Sequence, residues 1–168
     1  MNTILACVDF SALTDRMIET VVDLARPCGA SVHLLHVVGK RPEKAEHVVS
    51  SESSPDLARR RREAQRDLDK LAAELVDQGL DVKAVIAQGA VVDAIVEHAG
   101  KVDADMLVMG SHGTGAVYHL VVGSVAGGVL DHMDTPVLLV PAREAEKIQP
   151  PAGRRRLNWF NGRSKAHA

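Results

Sequence analysis

The sequence has few aromatic residues: two Phe, one Tyr and one Trp among 168 residues. Proteins that hold single-stranded nucleic acids stack the bases on aromatic side chains, so this shortage argues against that class. An excess of one charge is also lacking, because the formal net charge is only −2. Binding to nucleic acid through bulk electrostatics requires a clear positive excess. We therefore expect no nucleic-acid partner.

Long hydrophobic runs and clusters of cysteine are missing too. No apolar stretch reaches the length of a transmembrane helix, and residues 1–5 lack the basic start of a signal peptide. The two cysteines, Cys7 and Cys28, are too few for a disulfide framework and are not spaced for a metal. These absences predict a cytoplasmic protein in which both cysteines act as small hydrophobic residues rather than as nucleophiles.

Short apolar runs alternate with longer amphipathic segments along the chain. The apolar runs predict strands at residues 3–8, 31–38, 80–87, 104–109 and 136–141. Apolar residues at helical spacing predict helices at residues 12–26, 54–78, 91–100 and 124–133. The predicted fold class is α/β: an open, Rossmann-like, five-stranded parallel sheet with helices on both faces. Prolines at both ends of the last strand favour an edge position, and ligands of such sheets bind at the carboxyl ends of the strands.

Two segments depart from this alternation. Residues 39–54 are polar and form a connection long enough to be functional or disordered. Residues 143–168 carry seven basic and two acidic residues and include Trp159 and Phe160. We therefore predict a domain of residues 1–142 followed by a basic tail of residues 143–168. The tail is either a disordered extension or a docking peptide for a protein or membrane partner.

Glycines cluster after the fourth predicted strand. Gly110, Gly113 and Gly115 lie there, and Gly123-Ser124 opens the fourth predicted helix. Glycine lets the backbone approach a ligand closely, and the N–H groups at a helix start favour phosphate. Ser124 either caps this helix or bonds a phosphate oxygen. Neither the P-loop nor the dinucleotide fingerprint occurs, so the loop indicates either an anion site or a tight turn.

Further candidate residues lie near the same edge of the predicted sheet. Asp9 directly follows the first predicted strand, where its carboxylate can accept hydroxyl groups of a ligand or cap the first helix, with Ser11 as the alternative cap. Phe10 either walls the pocket or packs in the core. His112, inside the glycine loop, either contacts phosphate or packs within the loop. His36 is predicted to be a hydrogen-bonded core residue.

The pattern Gly-x-x-Gly, nine residues, Gly-Ser over residues 110–124 resembles the ATP-binding motif of the universal stress protein family. Three further strings resemble the family in order and spacing: Ile-Leu-Ala-Cys-Val-Asp-Phe-Ser at 4–11, Leu-Val-Met-Gly-Ser-His-Gly at 107–113 and Asp-Thr-Pro-Val-Leu-Leu-Val at 134–140. The resemblance covers residues 2–142. It implies the family's adenine-nucleotide α-hydrolase-like fold and membership of its nucleotide-binding branch.

The resemblance also implies a set of binding residues for ATP. Asp9, with Phe10 and Ser11 beside it, would contact the ribose, and the backbone of Val37 would contact adenine. The residues implied near the nucleoside and the phosphates are Met109, Gly110, Gly113, Gly123, Ser124 and Val125. His112 joins the candidate binding residues because of its place in the glycine loop, not because of the resemblance. A Mg²⁺ or Mn²⁺ ion would be held through the phosphates of ATP, without an assigned metal ligand or catalytic residue from the protein.

Three functions remain open at this point. The resemblance implies a nucleotide-dependent signalling module of the stress response, in which occupancy shifts conformation or partners. A slow ATPase or an autophosphorylating enzyme is the second, although no catalytic base is identifiable. The third is a dimeric scaffold whose tail docks a partner. The family's dimer pairs the fifth strand across a two-fold axis, which implies a homodimer through Val137–Val140 here.

Overall fold

The computed structural model describes residues 1–39, 54–111 and 123–141 of the chain. Most of the predicted loop at 39–54, part of the glycine loop and the predicted tail lie outside the described residues. Strands and helices alternate in the described part. They are β1 Thr3–Cys7, α1 Thr14–Cys28, β2 Ser31–Val38, α2 Ser54–Val76, β3 Val82–Gln88, α3 Val91–Lys101, β4 Met106–Gly110, α4 Ser124–Leu130 and β5 Val137–Val140.

The strands form one parallel sheet in the order β3-β2-β1-β4-β5. This arrangement confirms the predicted open five-stranded parallel sheet, and β5 lies at an edge as the flanking prolines predicted. From β1 the chain moves outward to β2 and β3 and then crosses to β4 on the other side of β1. The connection after β1 runs towards β2, and the connection after β4 runs the opposite way, towards β5. Because the two connections diverge, a crevice opens between them at the carboxyl ends of β1 and β4.

Apolar cores cover both faces of the sheet, which explains why its strands are nearly continuous apolar runs. Ile4 and Leu34 pack with α1 and α2 on one face, whereas Leu5 and Leu35 pack with α3 and α4 on the other. Consecutive strand residues point to opposite faces, so β1 and β2 each supply both cores. None of the helices in the described ranges is long and apolar enough to cross a membrane.

Helix α1 begins and ends later than the predicted 12–26. Leu13 occupies its N-cap position without a side-chain cap, so the prediction that Asp9 or Ser11 caps α1 is wrong. The chain uses these two residues for the turn that precedes the helix. Pro27 lies inside the last helical turn rather than beyond it, and Gly29 follows the helix with a φ of 61°. Glycine adopts this left-handed conformation without the steric cost that a Cβ atom brings.

Candidate functional site

A cavity of about 560 Å³ opens at the carboxyl ends of β1, β2 and β4, beside the first turns of α3 and α4. Small-molecule sites typically occupy roughly 300–1,000 Å³. The cavity coincides with the crevice where the direction of the chain connections reverses, the place where open α/β sheets bind ligands. The residues lining it are Cys7, Val8, Asp9, Leu35, His36, Val37, Val91, Ile95, Met109, Gly110, Ser111, Gly123, Ser124, Val125 and Ala126.

Asp9 brings a carboxylate to this cavity directly after β1. Its Oδ1 accepts a hydrogen bond from the Ser11 N–H at 3.0 Å, and the Ser11 Oγ accepts one from the Leu13 N–H at 3.3 Å. This turn holds the carboxylate against the backbone that follows β1. A carboxylate has about four lone-pair sites, so Asp9 retains capacity to accept hydroxyl groups from a ligand.

The base of the glycine loop closes at the same cavity. The Ser111 N–H donates to the Val140 carbonyl at 2.9 Å, and the Gly123 N–H donates to the Ser111 carbonyl at 2.9 Å. Ser111 and Gly123 are therefore neighbours in space although eleven residues separate them in the sequence. His112 and Gly113, two predicted site residues, lie outside the described residues.

Helix α4 directs its start at the cavity. Gly123 is the N-cap residue, with φ −58° and ψ 154°, and makes no side-chain cap hydrogen bond. Ser124 is the first helical residue, so the prediction that it caps α4 is wrong. The Gly127 N–H donates to the Gly123 carbonyl at 2.8 Å. The N–H groups before Gly127 have no acceptor within the helix, and those of Ser124 and Val125 belong to residues lining the cavity.

Apolar side chains from three elements form much of the remaining wall. Leu35 and Val37 come from β2, Ile95 from α3 and Met109 from β4. Cys7 also lines the cavity, and burial raises the pKa of its thiol to about 12. The thiol therefore stays protonated at neutral pH, which makes it a poor nucleophile. The cavity thus combines an apolar wall with a carboxylate and with backbone N–H groups that have no acceptor within helix α4.

The structure brings most of the predicted site residues together. The predicted residues that line the cavity are Asp9, Val37, Met109, Gly110, Gly123, Ser124 and Val125. Phe10 and Ser11 lie in the adjoining turn. Of the two roles considered for Phe10, packing is the one observed, because its ring contacts His36 with centroids 4.7 Å apart and it packs against the core.

Sequence reasoning missed part of the wall. Leu35 lies two residues before Val37 on the same face of β2, so strand alternation was a signal that could have found it. Val91 and Ile95 come from α3, and only the packing of that helix over the sheet brings them to the cavity. His36 makes the predicted hydrogen bond, yet it is half-buried and lines the cavity rather than lying fully in the core.

The sequence matches the universal stress protein family over residues 1–141, which is most of the chain. The chain belongs to this family. This universal stress protein is 31% identical over 140 residues to universal stress protein Sll1654 of Synechocystis sp., and the match covers 83% of this chain and 85% of that protein.

Solved structures show the same fold as this universal stress protein. Protein MJ0577 of Methanocaldococcus jannaschii superposes with a TM-score of 0.74 at 30% identity, over 86% of this chain and 98% of that chain. The universal stress protein of Archaeoglobus fulgidus, solved in complex with dAMP, has a TM-score of 0.58 at 21% identity, over 83% of this chain and 96% of that chain. At that identity the likeness establishes the fold alone.

Proposed function

We propose that this universal stress protein binds ATP in the cavity and acts as a nucleotide-dependent module of a stress response. The observation that carries the proposal is the convergence of Asp9 with Gly123, Ser124 and Val125 on one cavity. More than 100 residues separate the two groups in the sequence. Their convergence pairs an acceptor suited to ribose hydroxyls with backbone donors suited to phosphate.

Each part of the cavity matches one part of the nucleotide. The apolar side chains of Leu35, Val37 and Ile95 suit the faces of adenine, and Asp9 accepts the ribose hydroxyls. The start of α4 receives the phosphates. Gly113 and His112, the other residues predicted to contact the phosphates, lie outside the described residues. Among the described residues no three His, Cys, Asp or Glu side chains are grouped to hold a metal ion. As the family resemblance implies, we place Mg²⁺ or Mn²⁺ on the phosphate oxygens, whose charge it would neutralise.

The first test measures the contribution of Asp9. Calorimetric titration with Mg-ATP should give an affinity that falls roughly 10- to 100-fold in Asp9→Ala, because hydrogen bonds to a charged group contribute about 1.5–3 kcal/mol. Asp77→Ala is the matched control: it removes the same side chain from an exposed position after α2 and should leave the affinity unchanged. Equal affinities for the two variants would contradict the assignment of Asp9 to the ribose.

Measuring ADP in the same mixtures of protein and Mg-ATP distinguishes a binding module from an enzyme. A module binds ATP without releasing ADP, so ADP in the presence of the intact chain should stay at the level of buffer alone. ADP release that survives further purification and disappears in Asp9→Ala would instead establish the slow ATPase. Phosphate incorporated into the chain would establish autophosphorylation.

We also propose a cytoplasmic homodimer that pairs β5 across a two-fold axis. Strand β5 is an edge strand, and its residues Val137, Leu138 and Leu139 are half-buried in the single chain. An apolar edge left open is a template for pairing with another chain. Light scattering at micromolar concentration should give twice the 18.0 kDa mass of the chain. A mass of one chain would contradict the dimer. The domain boundary at residue 142 and the docking of the tail to a partner stay predictions.

A further inference from the structure

The turn that carries Asp9 contains a strained residue. Phe10 has a φ of 56°, in the left-handed region that bulky side chains rarely adopt. Such a conformation is unfavourable for a bulky residue and persists only when the surrounding structure holds it. The chain therefore needs contacts that keep Phe10, and with it the neighbouring Asp9, in this arrangement.

His36 of β2 supplies contacts on both sides of Asp9. Its Nδ1 lies 2.7 Å from the Val8 carbonyl oxygen, and its ring lies 4.7 Å from the Phe10 ring, centroid to centroid, at an angle of 40°. The Val8 N–H donates to the Leu35 carbonyl at 2.8 Å. Backbone pairing thus holds one side of Val8, and the His36 side chain holds the other. One imidazole contacts the residue before Asp9 and the residue after it.

The protonation state of His36 suits this arrangement. A carbonyl oxygen only accepts hydrogen bonds, so Nδ1 carries a hydrogen and donates the hydrogen bond to the Val8 carbonyl. Burial lowers the pKa of His36 and outweighs the hydrogen bond to Val8 and the negative charge of Asp9, which both raise it. The charges of Arg60 and Asp67 on α2 act in opposite directions. At neutral pH the ring is therefore neutral and gives its single N–H to Val8.

We propose that His36 is a positioning residue of the nucleotide site, holding the Val8–Phe10 turn so that the Asp9 carboxylate faces the ribose hydroxyls. The inference rests on the proposed function, because it assigns the ribose to Asp9. It adds a residue that acts through Asp9 rather than through the nucleotide. It also names what His36 controls: affinity for the ribose hydroxyls, not affinity for the base or the phosphates.

The test compares ATP with 2′,3′-dideoxy-ATP, which lacks the hydroxyls, by calorimetry on the full chain. The intact chain should bind ATP more tightly. In His36→Leu, which keeps bulk but removes the donor, ATP should bind about tenfold more weakly while dideoxy-ATP is unchanged. His36→Asn should restore discrimination, because its amide nitrogen stands near the position of Nδ1. His36→Gln carries its amide one carbon further from the backbone, so it should weaken ATP binding as His36→Leu does. It replaces His36→Leu in the test if that variant does not fold.

His33→Leu is the matched control. His33 lies on the same strand, buried and outside the cavity lining, so its substitution changes stability without changing the ratio of the two affinities. Equal weakening of both nucleotides in His36→Leu, or failure of His36→Asn to restore the ratio, would overturn the positioning role. If the intact chain binds ATP and 2′,3′-dideoxy-ATP with equal affinity, Asp9 does not bind the ribose hydroxyls, and the positioning role is overturned. Binding of neither nucleotide would overturn the proposed function, and this inference with it.

Discussion

Substituting Gly123 with Val is expected to abolish the thermal stabilisation that Mg-ATP gives to the intact chain. At about 100-fold over its Kd a ligand stabilises the folded state by roughly 2.7 kcal/mol. For a domain of this length that corresponds to a rise in Tm of about 5–10 °C. Gly123 precedes the donors of α4, where a phosphate group must approach the backbone closely. A branched side chain at this position fills the space that the phosphate group needs in order to reach these backbone N–H groups.

The backbone at Gly123 makes the experiment interpretable. Its φ of −58° and ψ of 154° are open to any residue, so Val requires no left-handed conformation and the chain should still fold. Gly127→Ala is the control on the same helix: a Cβ atom there meets no atom within 4 Å. It should raise stability by up to about 1 kcal/mol through helix propensity and retain the full ATP-dependent shift. An undiminished shift in Gly123→Val would place ATP elsewhere.

Truncating Leu34 to Ala is expected to cost about 3 kcal/mol of unfolding free energy. Leu34 has no exposed surface and lies in the core between the sheet and helices α1 and α2. Removing a buried leucine side chain costs the transfer free energy of the lost carbons and leaves a cavity, about 2–5 kcal/mol in total. Denaturant unfolding measures the loss, and a scan should show Tm lower by about 6–12 °C.

The neighbouring residue provides a matched comparison on the opposite face. Leu35 is 1% exposed and lines the cavity, whereas Leu34 is 0% exposed and does not line it. In Leu34→Ala the Mg-ATP shift should keep its full size, because that side chain packs on the far side of the sheet. In Leu35→Ala the shift should shrink, because the cavity loses part of its apolar wall. Equal shifts in both variants would contradict the location of adenine beside Leu35.

The sheet could be predicted well because its strands are covered on both faces. Such strands are continuous apolar runs, and the runs at 3–8 and 31–38 contain β1 and β2 almost residue for residue. The helix starts were predicted less well. Ser11 and Ser124 resemble capping residues in type and position, but the chain uses them in a turn and in the first helical turn at the cavity. Local propensity reflects only neighbouring residues in the sequence, so it does not predict how a residue is used in a site that distant segments form together.

The sequence by itself determined the α/β class, the parallel sheet and the glycine pattern at residues 110–124, because periodicity and residue spacing are local properties of a chain. Only the tertiary structure decided that Ile95 of α3 and Met109 of β4 line the same cavity, and that His36 contacts both residues flanking Asp9. These relations depend on strand order and helix packing. Strand order places β1 between β2 and β4, and this brings together residues that local patterns treat as unrelated.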